Sequence, residues 1–161
     1  MIVALDVDYR AAAVVTACVG FVEWTDALAA REHVVRSASA AAAYEPGRFF
    51  ERELPYLRAA LASFGDPIEL AIVDGYVWLA DGVPGLGAHL HAALDVPVVG
   101  VAKTAYAGSN AIAIVRGESA SPLFVTAVGL DAQLAAARVV AMHGPFRIPT
   151  LLKRADSLAR S

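Results

Sequence analysis

Two apolar runs, IELAIVD at 68–74 and VPVVGVA at 96–102, set the strongest limit on the fold. A strand with one wet face alternates apolar and polar residues, whereas a strand covered on both faces reads as a nearly continuous apolar run. These two runs therefore belong inside a sheet with helices on both sides, and in α/β folds such strands are usually parallel. Each run ends on a polar signal. Asp74 closes the first, just before Gly75, and Lys103 follows the second.

The rest of the chain supplies the partners. Residues 2–9, IVALDVDY, alternate with the period of a strand: Val3, Leu5, Val7 and Tyr9 face one way, and Ala4, Asp6 and Asp8 the other. Further strands are expected at 12–22 and 32–39, antiparallel to their neighbours because the connections are short. TDALAARE between them reads as a turn or a short helix. A helix over 48–63 carries Pro55 inside it, which predicts a kink or a late restart. A Gly-containing loop leads to a helix at 84–94. AIAIVRG and PLFVTAVG form an antiparallel pair across the polar turn GESASP. A helix at 131–142 follows, and the last one begins near Pro149, a favoured first-turn residue. No linker or repeat divides the 161 residues, so a single domain is expected, with an α/β mixed sheet flanked by helices.

Hydrophobic residues make up 58% of the chain and the mean hydropathy is +0.55, values that raise the question of a membrane. A spanning helix needs about 20 mainly apolar residues. The greasiest stretch, AAAVVTACVGFVEW, is shorter, interrupted by Thr16 and rich in β-branched residues, so it reads as a buried strand. The chain opens directly into strand sequence without a basic leader, and no signal peptide is expected. Cys18 is the single cysteine, which excludes an internal disulfide and fits core packing. These features point to a soluble cytoplasmic protein without a membrane partner. The net charge of −3 gives no global attraction to nucleic acid. Arg147, Lys153, Arg154 and Arg160 offer a local basic surface, or else an ordinary solvated helix face.

Three carboxylates stand where a core would prefer apolar residues. Asp6 interrupts the first strand. Glu53 shares a helix face with Phe49, Phe50, Leu57 and Ala60. Asp74 ends a buried strand, the place where open α/β sheets bind ligands. Each has a plainer reading. Glu53 could pair with a buried arginine, Asp74 could start an Asp-Gly turn, and Asp6 with Asp8 could lie on the solvent face of an edge strand. Ionised carboxylates are costly to bury unpaired, so three converging from separate elements are most economically explained by a divalent metal ion. Lys103 is either a phosphate contact or a solvated strand-end lysine. His89 and His91 are two apart and do not share a helix face, and His33 has no obvious partner.

Taken in order, LDVDY, YEPGRFFERELPYL, AIVDG, VPVVGVAK, PLFVTAVG and RIPTLLKRADSLAR resemble the endonuclease V family, the deoxyinosine 3′ endonucleases. The resemblance covers most of the chain. It implies a ribonuclease H-like fold and a Mg2+-dependent endonuclease, with Mn2+ as a substitute. The enzyme would hydrolyse a phosphodiester near a deaminated base, inosine or deoxyinosine, in DNA or RNA. By position, Asp6, Glu53 and Asp74 match the family's acidic metal ligands, and Lys103 its lysine near the scissile phosphate. Tyr44 and Pro46 match the strand-separating wedge, with Glu45 between them where the family has a hydrophobic residue. Gly47, Gly75 and Leu86 match the pocket for a flipped hypoxanthine base. An aromatic wedge and a tight glycine-lined pocket suit an enzyme that takes a base out of the stack.

Two segments depart from the family pattern. Ala80-Asp81-Gly82 stands in place of a His-Pro-Arg run. Phe146, within HGPFRIP, stands where the resemblance leads us to expect a histidine, and His143 is offset from it by three. Asp8, Asp81 and His143 are the candidate replacements. These losses leave two alternatives to an active nuclease. One is a catalytically weak or inactive nuclease-like domain that binds nucleic acid. The other is a scaffold that uses the fold for packing.

Overall fold

The computed structural model describes residues 1–38 and 49–161. Its centre is one seven-stranded sheet. Strands β1 (Ile2–Tyr9), β2 (Ala13–Phe21) and β3 (Arg31–Ala38) form an antiparallel meander. Helix α1 (Phe49–Ala62) then returns the chain to β4 (Leu70–Asp74), which lies parallel to β1. A small separate hairpin, β5 (Trp78–Ala80) with β6 (Val83–Pro84), precedes helix α2 (Leu86–Leu94). Strand β7 (Val98–Ala102) is parallel to β4. Strands β8 (Ile112–Ile114) and β9 (Leu123–Val128) close that edge in antiparallel fashion, and helices α3 (Ala132–Ala141) and α4 (Thr150–Arg160) follow. The order across the sheet is β3-β2-β1-β4-β7-β9-β8. The expected parallel pair, β4 and β7, sits next to β1 in the middle.

Side-chain alternation divides the core into two layers. Ile2 and Ala4 of β1, with Ile72 of β4 and Val99 and Val101 of β7, pack against Val139 of α3 and Leu151 and Ala155 of α4. Val3, Leu5, Ala71, Val73 and Val98 point the other way and meet Leu57 and Ala60 of α1, Phe64, and Leu90 of α2. The period of two in a strand makes this division automatic, and it fixes where the acids go. Asp6 continues the Ile2–Ala4 row and Asp74 the Ile72 row. Both therefore stand on the α4 side, Asp74 at the carboxyl end of β4 and Asp6 on the neighbouring parallel strand just past its last pair with β4, Leu5 with Val73.

The segment after β4 approaches the sheet closely. A Cβ at Gly100 would sit 2.5 Å from the Gly75 carbonyl oxygen and 2.7 Å from Thr126 Oγ1. One at Gly85 would sit 2.6 Å from the Tyr76 carbonyl oxygen. Val77 N donates to Thr126 Oγ1 over 2.8 Å, which ties the turn down. Gly75 itself has φ +137°, a conformation open to glycine and strained for other residues. These contacts hold Asp74 at a sharp, fixed exit from β4.

Some expectations are revised. Helix α1 runs through Pro55 without interruption, although proline brings no N–H to the ladder. Of the two readings of TDALAARE, the turn holds: its first six residues are turns and bends, with Asp26 accepting from the backbone N–H groups of Val22 and Glu23, and Arg31 opens β3. The loop before α2 contains the β5–β6 hairpin, and α2 starts at Leu86 instead of 84. Strand β1 is third of seven, so the reading of Asp6 and Asp8 as the wet face of an edge strand fails. Among the described residues, no helix is long and apolar enough to cross a membrane.

Candidate active site

Asp6, Glu53 and Asp74 line one cavity of about 80 Å³, together with Leu5, Val7, Leu57, Val73 and Leu86. Glu53 reaches it from α1, where its neighbours one and two turns on, Leu57 and Ala60, are buried against the sheet. Its own exposure is only 9%. Among the described residues, the pairing anticipated as an alternative is not made. The adjacent Arg52 guanidinium lies 3.7 Å from the centroid of the Tyr9 ring, a cation–π contact, and among the described residues Glu53 makes no direct ion pair.

The electrostatics follow from that crowding. Burial, then the charge of Asp6, then that of Asp74 push the Glu53 carboxyl up to about 8, and Arg52 offsets this only in part. Burial and Asp74 likewise push Asp6 up to about 7, against the backbone N–H of Val7, which donates to Asp6 Oδ1 at 2.9 Å. Like charges crowded in a partly buried cleft disfavour ionisation of one another. Asp74 is half exposed and has a cationic neighbour: Lys103 Nζ lies 3.5 Å from its Oδ2. The lysine following β7 thus meets the aspartate ending β4, because the two strands are parallel neighbours.

A fourth acid, Asp156, belongs to the same site. A second cavity is lined by Asp6, Asp74, Lys103 and Asp156, and Asp156 contributes to raising Asp6. Its side chain is 14% exposed. Arg160 Nε at 2.7 Å and Lys153 Nζ at 3.1 Å hold its two oxygens. Burial pushes its pKa up, but these hydrogen bonds prevail and the carboxyl ends below its ordinary value. Sequence reasoning missed Asp156 because its (i, i+3) and (i, i+4) basic partners look like a solvated helix face. The one available signal was its place directly after Ala155, within the buried stripe Leu151–Ala155–Ala159.

The donor set suits a hard divalent cation. All four acids offer oxygen, and neither cavity contains sulfur or imidazole. The acids line the cavity without closing on a common point. Among the described residues, no three His, Cys, Asp or Glu side chains form a compact cluster that could hold a metal ion. The histidines are engaged elsewhere. His89 stacks on Phe50 at 3.7 Å, His91 Nδ1 meets the Val96 carbonyl, His33 has a partner after all in Ser63, and His143 bonds Thr150.

The remaining sequence candidates fall into two groups. Leu86 lines the carboxylate cavity at the start of α2, and Gly75 makes the turn directly after Asp74. Tyr44, Pro46 and Gly47 lie outside the described residues. Asp8 pairs with Arg10 at 3.0 Å, and Asp81 accepts from Asn110 Nδ2 at 2.7 Å. Neither they nor His143 line the two acidic cavities. Phe146 is exposed.

A family model described as Endonuclease V matches residues 1–140. The chain belongs to the endonuclease V family. Endonuclease V of Streptomyces avermitilis is 32% identical over 139 residues, covering 73% of this chain and 60% of the relative. That of Streptomyces coelicolor is 30% identical over 141 residues with the same coverage. The matches thus span about 60% of the length of these curated relatives. The crystal structure of the S. avermitilis endonuclease V superposes with a TM-score of 0.79 at 28% identity, covering 99% of this chain and 79% of that one. A Ciona intestinalis endonuclease V variant, crystallised with a 23mer DNA containing an inosine followed by a ribo-adenosine, gives a TM-score of 0.81 at 17% identity, covering 99% and 83%. That second likeness concerns the fold, which is ribonuclease H-like. Asp156 lies beyond the residues matched by the endonuclease V model but within the reach of both superpositions.

Proposed function

We propose that this chain is a metal-dependent endonuclease that hydrolyses a phosphodiester bond near a deaminated base, inosine or deoxyinosine, in DNA or RNA. One observation carries the reading: acids from a strand, a helix and a second strand line a single cavity, with Lys103 beside one of them. A packing role alone gives no reason to gather like charges in a partly buried cleft.

In this reading Asp6, Asp74 and Glu53 would hold magnesium, or manganese in its place, with Asp156 as a further acid beside Asp6. When bound, such an ion would supply the chemistry of water activation and of charge neutralisation at the phosphate. Lys103 Nζ faces the same space as Asp74 Oδ2 and steadies the phosphate or the departing oxygen as a point charge. Glu53, the most enclosed acid, is the group best able to hold a proton near neutral pH. Tyr44 and Pro46 intrude beside the lesion, and Gly47, Gly75 and Leu86 frame the pocket for the displaced base.

The deciding comparison is wild type against Asp74→Ala on an inosine-containing strand with magnesium. Cleavage should fall by roughly a hundredfold or more, the scale seen when one group stabilising transition-state charge is removed. Equal cleavage by the two proteins would sink the reading. Binding without cleavage by wild type would leave the nuclease-like binding domain in its place.

A further inference from the structure

The basic residues near the end of the sequence do not form a uniform solvated face. Arg154 turns away and forms a two-bonded pair with Glu32 at 2.6 and 2.9 Å. Arg147, Lys153 and Arg160 converge instead with Lys103, Ile148 and Asp156 on one open groove of about 370 Å³. The chain carries 16 acids against 13 lysines and arginines, so four cations with one acid are a local reversal of its net charge.

Much of this charge is uncancelled. Arg147 donates to the carbonyl oxygens of Lys103, Pro122 and Ser121 at 2.6, 2.7 and 3.1 Å. Those partners are neutral, so they fix the guanidinium in place and leave its charge. Lys153 and Arg160 share the single carboxylate of Asp156 and remain 64% and 69% exposed. The groove is also continuous with the acidic site. Lys103 and Asp156 line both it and the cavity that contains Asp6 and Asp74. A ligand spanning the two must carry negative charge in the groove and present a hydrolysable group at the acids.

We infer that this groove holds the phosphodiester backbone of the nucleic-acid strand where it leaves the carboxylate cavity, with Arg147, Lys153 and Arg160 contacting successive phosphates. The inference rests on the nuclease reading above and adds the path of the strand along α4. Backbone contacts carry no base information, so DNA and RNA strands, with or without inosine, should use the groove alike.

The test is the salt dependence of affinity for labelled single-stranded DNA and RNA, measured without divalent metal so that no cleavage intervenes. Each phosphate contact contributes about 0.7 to the slope of log affinity against log salt for single strands. Lys153→Gln with Arg160→Gln should flatten that slope by about 1.4 with either strand. Arg138→Gln, an exposed cation on α3, should leave it unchanged. Thermal melting establishes that the variants remain folded. Binding by the double variant with the wild-type slope would overturn the groove and spare the nuclease reading. An equal change from Arg138→Gln would also overturn the groove, because net charge would then account for it. No binding by wild type to either strand would bring down the nuclease reading itself.

Discussion

Glu53 bears most of the electrostatic cost of the site. Its carboxyl is pushed up to about 8 by burial and by Asp6 and Asp74, from an ordinary value of 4.5. An acid with a raised folded-state pKa binds more protons folded than unfolded between those two values. The contribution of Glu53 to the stability of the metal-free protein must therefore fall as pH rises from about 4.5 to about 8, and is largest below that window. Glu53→Gln removes the charge and keeps the shape. Each tenfold in acid strength corresponds to about 1.4 kcal/mol, and the coupled acids share the cost. The substitution should stabilise the metal-free protein at pH 8 by roughly 1–3 kcal/mol and change little at pH 4. Urea unfolding at the two pH values checks this. An equal effect at both would mean that the carboxylate is not charged against its surroundings.

At the scale of elements, the site depends on how closely the turn after β4 lies on β7. Gly100 has no room for a Cβ, because the nearest obstacle is the backbone oxygen of Gly75, which cannot swing aside as a side chain can. Gly100→Ala should therefore cost about 1–3 kcal/mol by overpacking and displace Asp74 from its neighbours. For a chain of this length that lowers the melting temperature by roughly 2–12 °C, and metal-dependent cleavage should fall further than stability alone explains. Unchanged melting would place the turn elsewhere. The strands and helices that build this frame were legible in the sequence, since the apolar runs at β4 and β7 and the alternation in β1 are strong periodic signals. Asp6, Asp74 and Glu53 were legible for the same reason, as acids interrupting apolar patterns. The β5–β6 hairpin was not, because strands of three and two residues carry too little period. Asp156 was hidden because its basic partners at (i, i−3) and (i, i+4) read as a solvated helix face and outweigh its place beside the buried stripe. Arg116 was hidden too. It is buried beside β8 and donates to the carbonyls of Phe146, Arg147, Met142 and Gly144, fastening the loop that carries Arg147. Its partners are backbone atoms, which leave no trace in residue types.

For the whole molecule, the sheet concentrates negative charge at one end that only a cation or protons can relieve. Asp6 rises to about 7 and Glu53 to about 8, so near neutral pH protons occupy a share of these carboxyl groups. A divalent ion held by the acids must displace those protons, which makes ion binding and pH interdependent. A ligand that binds only the folded state stabilises it, by about 2.7 kcal/mol at a hundred times its dissociation constant. Magnesium should therefore raise the melting temperature more at pH 8 than at pH 5.5, and a chelator should reverse the rise. In the proposed reading the two effects share one origin: the charges that weaken the metal-free protein at high pH would be those that bind the ion. Asp6→Asn combined with Glu53→Gln should flatten the metal-free pH dependence and abolish the magnesium response together. Loss of one with retention of the other would separate the buried charge from the metal site and refute their identity.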